Sequence, residues 1–180
     1  MKNLKTLVAH PLFRIFQNPI FLFVMWMCIT LVCCIFKLAQ GRYNNFLIFR
    51  QSYWDALAQI SLYLENLNAY LYGISFTVLI APFAVLPIPL GMILWCLANT
   101  AFLYYAIRKL EPETWKFTLI IWVSANDLYE AMVYQQYNVG IAAMIILAFV
   151  CIEKKKDFWA ALFIVVGTMT KIYGILGLAF

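Results

Sequence analysis

ISFTVLIAPFAVLP, residues 74–87, is the stretch on which the topology turns. It is continuously apolar but short. As a helix at 1.5 Å per residue it reaches about 21 Å, against a hydrocarbon core of about 30 Å. Pro82 interrupts it, and Pro87 and Pro89 end it, because proline lacks the helix donor and clashes with the preceding turn. The charges downstream decide whether it crosses. RKLEPETWK, residues 108–116, holds Arg108, Lys109 and Lys116, and EKKKD, residues 153–157, holds Lys154, Lys155 and Lys156. NDLYEAMVYQQYN, residues 126–138, carries Asp127 and Glu130 and no base. Base-rich loops stay cytoplasmic. A crossing at 74–87 would put both base-rich loops outside and the acidic one inside. Without it, every loop takes its expected side. The reading therefore predicts a re-entrant half-helix at 74–87, buried by protein where its irregular backbone is tolerated, inside one extracytoplasmic block over residues 39–88.

The rest of the chain fits a membrane protein and no other class. Of 180 residues, 66% are hydrophobic and only 12% charged, where soluble domains run near 45–50% and about 25%. Spans are predicted at residues 19–38, 88–107, from 117 to about 125, 139–152 and 158–170. The fold class is all-α: a polytopic membrane helical bundle with about five full spans, the half-helix, and an amphipathic interfacial helix in the first outer loop. The whole chain reads as one transmembrane domain. Lys2, Lys5 and Arg14 without an acid put the N-terminus in the cytoplasm of an integral plasma (inner) membrane protein. The first span starts late and no small-x-small site follows, so it is a retained signal anchor rather than a cleaved peptide. Residues 1–18 suggest a short surface helix broken at Pro11, with the single histidine, His10, beside it.

The net charge of +5 is not a nucleic-acid signal, because the bases lie in loops between apolar runs and no patch interleaves them with stacking aromatics. The five cysteines, Cys28, Cys33, Cys34, Cys96 and Cys151, all fall inside apolar runs with no metal-type spacing. They are small fillers. No metal and no cofactor is expected. The chain stops at GILGLAF inside an apolar run, which suggests a piece of a longer protein.

The first outer loop, AQGRYNNFLIFRQSYWDALAQISLYLENLNAYLYG at 39–73, is where a polar site belongs. Phe46, Phe49, Tyr53, Trp54, Leu57, Ile60 and Leu64 recur at three- and four-residue spacing, which predicts an amphipathic helix ended by Glu65, Asn66 and Asn68. Asp55 and Glu65 are its acids. Either could take a proton from an acceptor hydroxyl, and either also reads as a solvated helix residue. In the second outer loop, Asn126, Gln136 and Asn138 offer amide donors and acceptors suited to sugar hydroxyls, or form an ordinary hydrated loop. Lys171 follows a membrane run. It suits a phosphate as a point charge, or snorkels at a helix end. Asn99, inside a span, is expected to bond across helices.

NNFLIF after the first span, YGISFTVLIAPFAVLP, LGMILWCLANTAFLYYAIRKL, QQYN and TKIYG, in this order, resemble glycosyltransferase family 87 over residues 44–174. These are multi-span GT-C enzymes that include polyprenyl-phosphate-mannose-dependent mannosyltransferases. The resemblance implies a GT-C bundle that moves a hexose from a polyprenyl-phosphate donor to a lipid or glycan acceptor outside the membrane, with inversion. Because family members are about twice as long, it also implies an N-terminal half. The family's first-loop acid falls on Asn45, next to Asn44, and an amide is no base. Its aromatic-x-Pro appears as Tyr72-Gly73-Ile74, its Gly-Gln-x-Asn keeps Gln136 and Asn138, and its Lys-Pro keeps Lys171. Lys171 would face the donor phosphate. The lost positions leave an inactive copy as the alternative. A transport or scaffold protein is less well supported, since a transporter would show paired broken helices and only one appears.

Overall fold

The computed structural model describes residues 11–63 and 70–180, with side chains from Arg14 onward. Glu65, Asn66, Asn68 and His10 lie outside the described residues. All secondary structure among the described residues is helical. The order is α1 (Pro11–Phe16), α2 (Pro19–Ala39), α3 (Asn44–Leu57), α4 (Phe76–Ala84), α5 (Ile88–Lys109), α6 (Thr114–Val123), α7 (Ala125–Val133), α8 (Asn138–Glu153), α9 (Asp157–Thr170), and a 3-10 helix (Ile172–Ala179).

Among the described residues, two helices, α2 and α5, are long and apolar enough to cross a membrane alone. At 16 and 14 residues, α8 and α9 are shorter but apolar. The expected loop at 126–138 is mostly helix. Leu128 N–H donates to the Ser124 carbonyl at 2.9 Å, and Ser124 N–H to Ile120 at 2.9 Å. The i to i−4 pattern thus runs through the joint, and α6 and α7 together reach about 30 Å. Only residues 134–137 remain as loop.

Helix ends are set locally. Asn18 caps α2 by accepting from Ile20 and Phe21 N–H at 2.8 and 3.3 Å. Past α2, Gly41 takes φ +65°, and Arg42 N–H reaches back to Lys37. The same closure recurs without glycine at Gln59 after α3, Gln135 after α7 and Lys155 after α8, all at φ between 49° and 58°. In each, the next N–H bonds the carbonyl five residues back, which satisfies carbonyls the helix leaves orphaned. The amphipathic helix of the first loop therefore ends at Leu57, earlier than the apolar spacing alone suggests.

Contacts fix which helix ends share a side. Tyr104 donates to the Pro19 carbonyl at 2.5 Å, and Thr30 pairs with Thr100 at 2.7 Å, so α2 runs antiparallel to α5. Trp26 Nε1 donates to the Ile121 carbonyl of α6. Lys154 at the end of α8 bonds Glu111 just past α5 at 2.6 Å. The two base-rich loops therefore meet at one end of the bundle. At the other end, Gly73 N–H donates to the Thr170 carbonyl at the close of α9. Trp95, in the second turn of α5, stacks on Tyr137 at 5.1 Å. Thus α4 begins against the end of α9 and hands over to the start of α5 at that same end, and does not link the two ends. Gly91 permits the α4–α5 turn, since a Cβ there would lie 2.4 Å from the Phe83 carbonyl oxygen.

Asn99 does not bridge helices. Its Nδ2 donates to the Trp95 carbonyl of its own helix at 2.8 Å. The interhelical polar contact at this depth is made by Thr30 and Thr100, whose short side chains let α2 and α5 come close.

Candidate functional site

The site starts from an aromatic floor. Phe49 of α3, Tyr72, Phe76 of α4, Trp95 of α5 and Tyr137 before α8 are all buried. Phe76 stacks on Tyr72 at 4.5 Å, and edge-on contacts link it to Phe49, Trp95 and Tyr137. Four segments far apart in sequence are pinned at one level, because each edge-to-face or stacked pair adds about 0.5–1.5 kcal/mol beyond burial.

Lys171 lies over this floor. It ends α9 in an extended conformation (φ −152°, ψ 134°), which turns its side chain off the helix. Its Nζ donates to Asn138 Oδ1 at 2.8 Å. Asn138 Nδ2 in turn donates to Gln136 Oε1 at 2.6 Å. The ammonium also sits 5.0 Å from the Tyr72 ring centre and 5.3 Å from that of Tyr173, positions at which ring faces attract a cation. Two hydrogen bonds fix Tyr72: Tyr137 N–H donates to its hydroxyl at 3.3 Å, and Tyr63 donates to its carbonyl at 3.1 Å. Next to it, Tyr70 donates to the Gly73 carbonyl at 3.0 Å, and Gly73 N–H bonds Thr170. A side chain at Gly73 would sit 1.8 Å from the Met169 carbonyl oxygen, so only glycine lets Tyr72 lie this near the lysine.

The electrostatics favour an anion. Partial burial lowers the Lys171 pKa from the ordinary lysine value. Among the described residues no carboxylate pairs with it. One of its three N–H donors goes to Asn138, leaving others for a ligand. Burial raises the Tyr72 and Tyr137 pKa values, so these phenols stay neutral and act as donors or acceptors rather than charges.

Tyr72, Gln136, Asn138 and Lys171, up to 99 residues apart, are thus brought into one cluster. Asn45 lies nearby but is occupied: its Nδ2 donates to the Tyr134 carbonyl at the end of α7 at 2.7 Å. A carboxylate could not make that bond, so this geometry favours an amide at the position. Asp55 is elsewhere. It accepts from Gln51 Nε2 at 2.8 Å and lines a separate cavity of about 370 Å³ with Arg50, Ser52 and Tyr70. Asn44 and Asn126 are exposed and have no side-chain partner among the described residues. Apart from Tyr72, the aromatic floor and Tyr173 carry no mark in the sequence, where tyrosines near a membrane look like interfacial belt residues. The one available signal was Tyr173 standing two residues from Lys171.

The model of glycosyltransferase family 87 matches residues 70–180. The chain belongs to glycosyltransferase family 87. The match takes in Tyr72, Gln136, Asn138 and Lys171, and leaves out α2 and α3 with Asn45 and Asp55. No curated protein and no solved structure matches the chain. Family membership makes this a glycosyltransferase, acting on a sugar donor and an acceptor, and the apolar helices give it a membrane setting.

Proposed function

We propose that this family 87 protein transfers a hexose, with inversion, from a polyprenyl-phosphate donor to an acceptor on the extracytoplasmic side, and that Lys171 holds the donor phosphate. The observation that carries the reading is the Lys171 ammonium. It is partly desolvated, free of carboxylates, and aimed by Asn138 and Tyr72 at the end of the bundle away from the base-rich loops. In a partly buried setting a point charge acts strongly on a phosphate. Gln136 and Asn138 supply amides for sugar hydroxyls or phosphate oxygens.

The topology belongs to the same proposal. The N-terminus and the loops at 110 and 155 face the cytoplasm, the spans number about five, and α4 is re-entrant. Support comes from the convergence of the base-rich loops through Lys154 and Glu111, and from the return of α4 to the end where it began.

The test is donor binding by the full chain in nanodiscs, with decaprenyl-phosphate-mannose as probe. Lys171→Ala is expected to weaken binding about 10- to 100-fold, the loss of one charge-assisted contact of about 1.5–3 kcal/mol. Unchanged affinity would remove Lys171 from the site and with it this reading.

A further inference from the structure

A second cavity, of about 420 Å³, opens between α5, α6, α7 and α8 beside the Lys171 cluster. Its walls are of two kinds. One part is aliphatic, with Leu103, Ile107 and Leu110 from α5 and Ala142 and Ile146 from α8. The other part is polar, with Asp127 and Glu130 from α7 followed by Gln136 and Asn138. No lysine or arginine lines it. Asp127 and Glu130 stand three residues apart, so they share one helix face. Neither has a side-chain hydrogen bond or ion pair among the described residues. Both residues are exposed and line the cavity.

The charge decides what enters. Two unpaired carboxylates and no base repel a phosphate. They accept hydrogen bonds from hydroxyls, which the amides of Gln136 and Asn138 can also give or take. The aliphatic walls suit an alkyl chain. Asn138 belongs to both places, since it holds Lys171 and also lines this cavity.

We propose that this cavity binds the acceptor, an amphiphile with an uncharged, hydroxyl-bearing head, and that Glu130 is the catalytic base. The inference rests on the donor reading above. In the step, the acceptor oxygen bonds to the anomeric carbon and the bond from that carbon to the phosphate oxygen breaks. Its electron pair leaves with the phosphate at Lys171, and the hydroxyl proton passes to the Glu130 carboxylate. Glu130 takes this role because it stands one turn nearer than Asp127 to Gln136 and Asn138. Asp127 accepts a second hydroxyl of the head.

The experiment uses the full chain in nanodiscs, with decaprenyl-phosphate-mannose as donor. The acceptor probe is a decyl α-mannoside carrying a diazirine in its alkyl chain. Glu130→Gln should lower kcat about 100-fold or more with donor affinity unchanged, and Glu130→Asp should restore part of the rate. Asp127→Asn should chiefly raise KM for the mannoside. Photolysis should label the peptides holding Ile107 or Ile146, and Ala142→Trp should suppress that labelling. An unchanged kcat in Glu130→Gln, a loss of donor binding in that variant, or labelling confined to the cavity beside Asp55 overturns the assignment. If Lys171→Ala binds donor normally while the labelling still maps to α5 and α8, the donor reading fails and the acceptor cavity stands.

Discussion

At the residue scale, the protein turns on a lysine and on the atoms that keep it in place. A lysine whose pKa is lowered by burial gives up its proton at lower pH than a free lysine. Donor binding through Lys171 should therefore be full at neutral pH and fall as pH rises, with the loss beginning below the ordinary lysine range. Lys171→Arg keeps the charge and should push that loss to higher pH, which titration of donor affinity against pH would show. Gly73 is the second control point. Gly73→Ala forces a methyl against the Met169 carbonyl, and the overlap should cost about 1–3 kcal/mol. A lowered melting temperature together with weaker donor binding would register it, since Tyr72 moves with the backbone. Asn45 offers a third check. Asn45→Asp restores an acid where the family commonly has one, but it removes the donor to Tyr134 and sets a charge against a carbonyl. We expect a loss of about 1–3 kcal/mol of stability and no gain in transfer. A gain would return the base to the first loop.

At the element scale, the helices are delimited by their closures as much as by their apolar runs. Lys155 closes α8 with φ 54°, a conformation that costs a residue with a Cβ about 1 kcal/mol. Lys155→Gly should therefore raise stability by about that amount, read as a higher denaturation midpoint. Gln135 uses the same closure after α7, and its consequence is functional. By turning the chain at 135 it delivers Gln136 and Asn138 to Lys171. The polar run 126–138 looks like a loop in the sequence because it carries acids and amides. It is helical through Val133 because Leu128 and its neighbours pack inward, Leu128 and Met132 being buried, while Asp127 and Glu130 line a cavity. A polar helix face over a cavity and a polar loop have the same composition.

At the scale of the whole molecule, the bundle has two chemically distinct ends. Lys154 and Glu111 join the base-rich loops at one, and Gly73, Tyr137, Asn138 and Lys171 meet at the other. Cysteine-accessibility labelling of position 111 and position 134 should place them on opposite membrane faces, and positions 74 and 87 on the same face. Labelling of 111 and 134 from one side would sink the topology. The Glu111–Lys154 pair itself is exposed, and surface pairs contribute little. It marks the geometry without holding it.

The sequence by itself determined the class and the long apolar helices. Composition pointed to a membrane protein, and its prolines and length marked 74–87 as a short helix. Apolar runs located α2, α5, α8 and α9 to within a residue or two, since each is a sustained apolar helix. It also named four of the residues that meet, Tyr72, Gln136, Asn138 and Lys171, because the family motifs preserve them. Only the tertiary structure decided that they touch, that Asp55 lies in another cavity, and that Asn45 is spent on Tyr134. Those outcomes depend on how Gly73, the aromatic floor and the turn at Gln135 bring distant segments to one level. No local pattern encodes that, because packing between helices sets it.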